Sequence, residues 1–206
     1  NILVMSDAEL ALRLIENEGI ILISGTGSVC LGKKGQHLFR VGGLGRILGD
    51  EGSGYQIGLQ AIKAVLAEEY GWGSFTSLTL ALKEFFHVSE LKSLISSINL
   101  GKISPSEIAS LAPLVFQKAS EGDEIALQIV NRAADDLGAI LAMMLKMSHL
   151  SNCEIHLWGG IFKNHHSDDF IRRIVDQATN TPEKLKIVNH ARDNIALIFA
   201  SKFLLN

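Results

Sequence analysis

The amino-acid sequence predicts an α/β fold, and three observations support that prediction. The 206 residues are 47% hydrophobic and 20% charged, which supplies one buried core and argues against disorder. Short extended segments cluster around a hairpin-type turn within residues 20–41. Residues 153–205 then alternate strand, helix, strand and helix, which is typical of an α/β unit.

The first two elements are predicted to be a strand and a helix. The apolar run at 2–5 predicts a short buried strand. Ser6 and Glu9 have the spacing of a capping box, so a helix is expected to begin there and to end near Asn17.

The next part of the chain predicts a small sheet and a long helix. Three extended segments are expected to form strands: 20–24, 29–32 and 37–41. The turn between the last two carries Lys33-Lys34, which we expect to be solvated at its tip. Ser53 and Gln56 repeat the capping-box spacing, and the helix that they begin is expected to continue towards Tyr70.

Helices dominate the middle of the sequence. Residues 76–86 and 89–98 are predicted to be helical, with a break near His87. Ser104-Pro105 followed by Glu107 combines a cap, a proline at the first helical position and an acid in the first turn. That combination predicts a helix start.

The last and longest helix of this region is predicted to begin near Asp123. Its apolar residues recur at steps of three and four: Val130, Ala133, Leu137, Ile140, Leu141 and Met144. A strand is expected to follow at 153–158, then a turn at Gly159-Gly160 and a helix up to about Thr179. A second strand is expected at 185–189 and a final helix at 192–205.

Charge and composition exclude several classes of function. The formal net charge is -3, from 19 basic and 22 acidic residues, which argues against a nucleic-acid footprint. No apolar stretch reaches membrane-spanning length. Cys30 and Cys153 follow no metal spacing, so we expect free thiols in a reducing compartment, the cytoplasm. The chain opens at Asn1 on an apolar run, and an N-terminal part is expected to be missing.

Two glycine-rich stretches are the candidates for chemistry. We call Gly25-Thr26-Gly27-Ser28 the glycine turn and residues 42–54 the glycine loop. Backbone N–H groups in such turns form concave anion sites, which predicts phosphate binding. The glycine turn could equally be a tight turn between two strands. It is not a Walker A sequence, because no lysine follows at the required place.

Acidic residues and a second glycine pair accompany these stretches. Asp7 lies where a strand gives way to a helix, so it is either a helix cap or a catalytic carboxylate at a strand end. Asp50 and Glu51 are either caps or groups that accept hydrogen bonds from sugar hydroxyls. Gly159-Gly160 is either a strand–helix turn or a flat surface for a nucleotide.

These motifs in this order resemble the N-acetylglucosamine kinases. The segments that carry the resemblance are Ser6–Ala8, Ile23–Ser28, Gly42–Gly45, Leu48–Tyr55 and Trp158–Asn164. Within them, the run Gly49-Asp50-Glu51-Gly52-Ser53-Gly54 is the most specific. The resemblance covers essentially the whole chain. It extends to the BadF/BadG/BcrA/BcrD ATPases of the actin-like ATPase superfamily.

The resemblance implies a fold and an activity. Residues 1–206 are expected to form the C-terminal lobe of a two-lobed sugar kinase. This lobe would be ribonuclease H-like, with a mixed sheet flanked by helices and a helical insertion at 71–122. The implied reaction uses ATP and Mg²⁺ to phosphorylate an amino sugar, N-acetylglucosamine to its 6-phosphate. No nucleic-acid or membrane partner is implied, and a homodimer is expected by analogy.

The resemblance also implies roles for particular residues. Asp7 matches the catalytic base. Substrate contacts are expected from Ser28, Gly45, Arg46 and Asp50. ATP and phosphate contacts are expected from Gly25, Thr26, Gly27, Gly159 and Gly160. No protein metal ligand is implied.

The sequence departs from the family pattern in three places. Leu44 stands where a tryptophan is common, and residues 191–196 replace a segment with proline and glycine. The first phosphate motif, of the Asp-Gly-Gly-Thr type, is absent. Two alternatives therefore stay open: an ATPase that activates a partner enzyme through an iron–sulfur cluster, and a remnant lobe that binds sugar without catalysis.

Overall fold

A computed structural model describes residues 12, 15–163, 167–180 and 182–190. The strand predicted at 2–5, most of the first predicted helix and the final helix at 192–205 lie outside these residues. Asp7 also lies outside them, as does the divergent segment 191–196.

The sheet has five described strands: β1 Glu18–Ser24, β2 Ser28–Lys34, β3 His37–Gly42, β4 Glu154–Trp158 and β5 Lys186–Asn189. Their order is β3-β2-β1-β4-β5. The pairs β1–β2 and β2–β3 are antiparallel, whereas β1–β4 and β4–β5 are parallel. The predicted α/β fold with a mixed sheet is confirmed. The central strand β1 leads directly into the glycine turn.

Seven described helices flank the sheet: α1 Gly54–Glu69, α2 Leu78–Phe86, α3 Ile95–Asn99, α4 Pro105–Ala109, α5 Ala112–Ser120, α6 Glu124–Ser148 and α7 Ser167–Ala178. Short 3₁₀ turns lie at Leu91–Leu94, Gly160–Lys163 and Pro182–Lys184. None of the described helices is both long enough and apolar enough to cross a bilayer.

The prediction of one continuous helix over 89–98 is wrong in its detail. The chain is extended at Glu90, and a 3₁₀ turn then precedes the short helix α3. The Glu69 carboxylate accepts hydrogen bonds from the backbone N–H groups of Leu91 (3.0 Å) and Lys92 (3.1 Å). A side chain from the end of α1 therefore caps this segment and fixes where it begins.

Two predicted helix starts are confirmed as caps. Ser104 and Glu107 form a reciprocal capping box, with bonds of 3.2 Å and 2.8 Å. Asp123 accepts the N–H of Ala126 at 2.9 Å and also binds Ser77, at the start of α2. Burial raises the pKa of Asp123, but these hydrogen bonds outweigh it and hold the pKa below its usual value.

The core lies mainly on one face of the sheet, against α1, α6 and α7. The six residues of the predicted α6 stripe are all buried. They share one apolar cluster with alternating residues of β1, β2 and β4: Ile20, Leu22, Cys30, Ile155 and Leu157. This packing holds the carboxyl ends of β1 and β4 side by side, where the candidate site lies.

Helices α1 and α4 approach each other unusually closely. A Cβ atom at Gly58 would lie 2.0 Å from the carbonyl oxygen of Ile108, and one at Gly54 would lie 3.2 Å from that of Ala109. The two glycines are four residues apart, so they lie on one face of α1. Backbone therefore packs against backbone along this seam.

The expectation that Lys33 and Lys34 are solvated at a turn tip is wrong. Both lie in β2 and are half-buried. Lys33 Nζ donates to the carbonyl of Ile15 at 2.8 Å, and Lys34 Nζ donates to that of His149 at 3.1 Å, just after α6. The carbonyls at a helix end lack intrahelical donors and carry partial negative charge, so an ammonium group is stabilised there.

Candidate active site

The glycine turn is held by the first turn of α1. The N–H of Gly54 donates to the Gly25 carbonyl at 2.7 Å, and that of Tyr55 donates to the Thr26 carbonyl at 3.3 Å. The Thr26 side chain is exposed, and no described residue bonds its hydroxyl. The Gly25 N–H donates to the Gly27 carbonyl at 2.9 Å. Among the described bonds, the N–H groups of Thr26 and Gly27 and the Thr26 hydroxyl remain as donors for phosphate oxygens.

Asp50 lies directly against the glycine turn. It has a left-handed backbone (φ 60°), and its Oδ1 atom accepts the N–H of Ser28 at 3.4 Å. The buried Ser28 hydroxyl donates to the Glu51 carbonyl at 2.7 Å. On the other side of the turn, the buried Ser24 hydroxyl donates to the Gly52 carbonyl at 3.0 Å. Residues 50–52, near the end of the glycine loop, are thus hydrogen-bonded to residues at both ends of the glycine turn.

Gly159 brings the end of β4 against the end of β1. Its φ is +109°, a conformation that L side chains rarely adopt. A Cβ atom there would lie 2.1 Å from the Ser24 carbonyl oxygen and 3.1 Å from the Gly25 nitrogen. Only a residue without a side chain fits this contact.

A cavity of about 360 Å³ opens beside the glycine turn. We call it the turn cavity. It is lined by parts of the glycine turn, the start of α1, α4, α5 and the segment after β4: Gly25, Thr26, Gly54, Ser106, Ala109, Ser110, Ala112, Pro113, Gly160 and Ile161. The structure therefore brings Gly25, Thr26 and Gly160 together at one cavity. The family resemblance implies that all three contact ATP.

The sequence did not indicate the contribution of α4 and α5 to this cavity. Ser106, Ser110 and Pro113 follow a strong helix-start signal at Ser104, but that signal does not tell which face of the helix meets the sheet. Both serines lie on the cavity wall, where their hydroxyl groups could bind a ligand.

Gly45 and Arg46 lie apart from the glycine turn, on an exposed section of the glycine loop. Three large apolar side chains of this section are also exposed: Leu44 (66%), Ile47 (83%) and Leu48 (76%). The Gln56 side-chain amide, from the first turn of α1, donates to the carbonyls of Arg46 and Gly49, both at 3.3 Å.

A second cavity of about 390 Å³ adjoins the glycine loop between α1 and α6. Charged and amide side chains line it: Glu51, Gln56, Gln60, Arg132 and Asp136. Burial raises the pKa of Asp136 above its usual value, while Arg132 opposes this shift and Glu51 adds to it. No motif in the sequence indicates this polar cavity.

The two cysteines are free and buried. Burial raises the pKa of the Cys30 thiol far above its usual value and that of Cys153 to about 11. Burial therefore favours the neutral form of both thiols. Across the described residues, no group of three or more His, Cys, Asp or Glu side chains could hold a metal ion.

Comparison of the sequence with models of protein families shows which family the chain belongs to. The model of the BadF/BadG/BcrA/BcrD ATPase family matches residues 1–192. The chain belongs to this family.

Two proteins that are similar in sequence to this chain are named as amino-sugar kinases. It is 36% identical over 199 residues to the N-acetylmuramic acid/N-acetylglucosamine kinase of Clostridium acetobutylicum, covering 94% of this chain and 64% of that protein. It is 38% identical over 130 residues to the N-acetyl-D-glucosamine kinase of Dictyostelium discoideum, covering 62% and 41%. The chain thus spans less than two thirds of the length of either relative.

Solved structures agree on the fold. A protein of Chromobacterium violaceum, assigned as an N-acetylglucosamine kinase, superposes with a TM-score of 0.71 at 24% identity, covering 94% of this chain and 64% of that one. A ROK family glucokinase of Streptomyces griseus, solved with glucose and AMPPNP, gives a TM-score of 0.55 at 16% identity, covering 97% and 66%. The expected actin-like, ribonuclease H-like α/β fold is confirmed.

Proposed function

We propose that this protein takes part in ATP-dependent phosphorylation of an amino sugar, N-acetylglucosamine to its 6-phosphate. The observation that carries the proposal is the position of the glycine turn. It lies between the Asp50 carboxylate on one side and the turn cavity on the other. A phosphate held there would have room for a nucleoside on one side and a polar acceptor group on the other.

Each part of this arrangement has a proposed role. Gly25, Thr26 and Gly27 hold phosphate oxygens of ATP, with the exposed Thr26 hydroxyl as one donor. Gly159 allows the close contact of β4 with β1, and Gly160 contributes to the nucleotide wall. The space beside Gly160 supports this role, because no atom lies within 4 Å of the position that a Cβ atom would take there, which leaves room for a nucleotide.

The sugar side is proposed to lie along the glycine loop. Asp50 accepts hydrogen bonds from sugar hydroxyls, and Ser28, Gly45 and Arg46 complete the wall. Asp7 is proposed as the base that removes the proton from the attacking hydroxyl. The oxygen then bonds to the γ-phosphorus, the bond to the bridging oxygen breaks, and ADP leaves with that electron pair.

We also propose the wider setting of this reaction. The chain is the C-terminal lobe of a two-lobed kinase, with residues 71–122 as a helical insertion, and it works in the cytoplasm without a nucleic-acid partner. We propose that Mg²⁺ binds together with ATP, because in kinase sites this ion is coordinated largely by the phosphate oxygens of the substrate.

The experiment that tests the proposal measures ADP release by the full-length protein. We expect release that depends on N-acetylglucosamine, with weaker stimulation by glucosamine and none by xylitol. ADP release without any dependence on hexosamines would refute the kinase proposal. Iron and sulfide in anaerobically purified protein would favour the partner-activating ATPase. Cys30 and Cys153 are both buried, and their positions argue against that alternative, in which cysteines hold a cluster at a dimer interface.

We propose that two copies associate through the segment that follows α1. Tyr70, Trp72, Phe75 and Leu80 are 58%, 77%, 85% and 65% exposed. Three aromatic side chains exposed to this degree offer on the order of 400 Å² of apolar surface, about half of what one partner contributes to a standard interface. Lysines and glutamates surround Phe75 and Leu80, so charges of both signs could pair across a two-fold contact in which the same patch meets itself.

The segment is remote from the proposed active site. α1 is 16 residues long and begins at the glycine turn, so its far end lies ~24 Å away. We expect the wild-type protein to be a dimer by light scattering and the Trp72→Ser/Phe75→Ser variant to be a monomer. Leu38→Ser removes an exposed leucine from β3 and should leave the dimer intact. A monomeric wild type, or a dimeric double variant, would contradict the proposed interface.

A further inference from the structure

We propose that Gln56 is the positioning residue for residues 45–49 of the glycine loop, and that it holds Gly45 and Arg46 in register with the glycine turn. This inference rests on the proposed sugar-binding role of the loop. Gln56 is not itself proposed to touch the sugar or ATP, and its side chain acts through the backbone carbonyls of Arg46 and Gly49.

The first indication is a departure from ordinary capping. In a capping box, the side chain at the third helical position returns to the backbone N–H of the cap residue. Glu107 does this in α4, where its carboxylate accepts a hydrogen bond from the N–H of Ser104 at 2.8 Å. Gln56 occupies the same position in α1, but the N–H of its cap residue, Ser53, donates instead to the Asp50 carbonyl at 3.1 Å.

The released side chain is used to hold the loop. The Gln56 Nε2 atom lies 3.3 Å from both the Arg46 and the Gly49 carbonyl oxygens. Among the described residues, these are the hydrogen bonds that join positions 45–49 to the rest of the chain. The other bond of this section, from Leu48 N–H to the Gly45 carbonyl, is internal to it.

Gln56 is itself fixed to the proposed phosphate site. Its backbone N–H donates to the Ser53 hydroxyl at 3.3 Å, and the two preceding residues, Gly54 and Tyr55, donate to the glycine turn. The backbone of α1 therefore moves with the glycine turn, and the Gln56 side chain extends that rigid unit to the loop. Through Gln56, residues 45–49 of the glycine loop are joined to the helix that holds the glycine turn.

The amide group suits this task because one nitrogen carries two hydrogens for two carbonyl acceptors. A glutamate, which capping boxes also favour, would place a carboxylate against two carbonyl oxygens and repel them. A methionine would fill the same space and donate nothing. The chemistry of position 56 can therefore be separated from its volume.

The test compares Gln56→Met and Gln56→Glu with the wild type in the full-length protein. We expect the KM for the sugar to rise about tenfold in Gln56→Met and further in Gln56→Glu, with kcat and the KM for ATP within about threefold of wild type. Gln60→Met changes a glutamine one turn later that lines the same polar cavity without bonding the loop. It should behave as the wild type does.

A second measurement does not depend on the kinase activity. Hydrogen exchange of the sugar-free protein should be faster at residues 43–49 in both Gln56 variants and unchanged in Gln60→Met. Exchange that is unchanged at 43–49 would overturn the inference whatever the activity. Faster exchange with an unchanged sugar KM would keep Gln56 as the tether but remove the loop from the sugar site, and so would overturn the inference as stated.

Discussion

Replacing Asp7 with asparagine is expected to reduce turnover of the full-length protein in the proposed sugar-kinase reaction by ~10²–10⁴-fold, the usual contribution of general-base assistance. Asparagine keeps the size and the hydrogen-bonding shape of the side chain but cannot take the hydroxyl proton. Binding of the sugar should therefore be partly retained. The measurements are kcat from ADP release and sugar affinity by calorimetry.

The control for this variant lies two residues further on. Glu9→Gln neutralises another carboxylate of the same predicted helix and should leave kcat close to that of the wild type. If Asp7→Asn also retains activity within a few-fold, Asp7 is a helix cap and the base has to be sought elsewhere.

The second large effect is expected at Gly159. Gly159→Ala should abolish nucleotide binding and lower the free energy of unfolding by about 3 kcal/mol, because an alanine is strained at positive φ and its methyl group needs space. That methyl group would lie 2.1 Å from the Ser24 carbonyl oxygen, so β4 and the glycine turn would have to separate. Thermal unfolding and titration with a non-hydrolysable ATP analogue measure the two effects.

Gly160 provides the matched comparison for this variant. A Cβ atom there would meet nothing within 4 Å, so Gly160→Ala should unfold at the wild-type temperature. Any loss of nucleotide affinity in Gly160→Ala would then come from the cavity wall alone. Equal stability of the two variants would show that the close contact of Gly159 is dispensable.

The elements were largely predictable because their signals are local. The caps at Ser53, Ser104 and Asp123 fixed three helix starts, and hydrophobic periodicity identified the buried stripe of α6. The order of the strands was not contained in those signals. β1 pairs with β4 across about 130 residues of chain, and only packing of the helices between them brings the two together.

The candidate site was predictable in its glycine residues and in Thr26 and Asp50. At Gly159 the physical reason is clear, because the close contact with the Ser24 carbonyl requires a residue without a side chain. Ser106, Ser110 and Gln56 could not be predicted, because their roles depend on which way a helix face points after folding. The same limit explains the error at Lys33 and Lys34, whose acceptors are carbonyls of segments distant in sequence.

The backbone seam between α1 and α4 restricts how the preference of the proposed nucleotide site can be altered. Because Gly58 lies against the Ile108 carbonyl oxygen, the separation of the two helices is set by main-chain atoms and cannot be widened by trimming a side chain. Libraries aimed at another base should therefore vary Ser106, Ser110 and Pro113, which face the turn cavity, and leave α1 untouched.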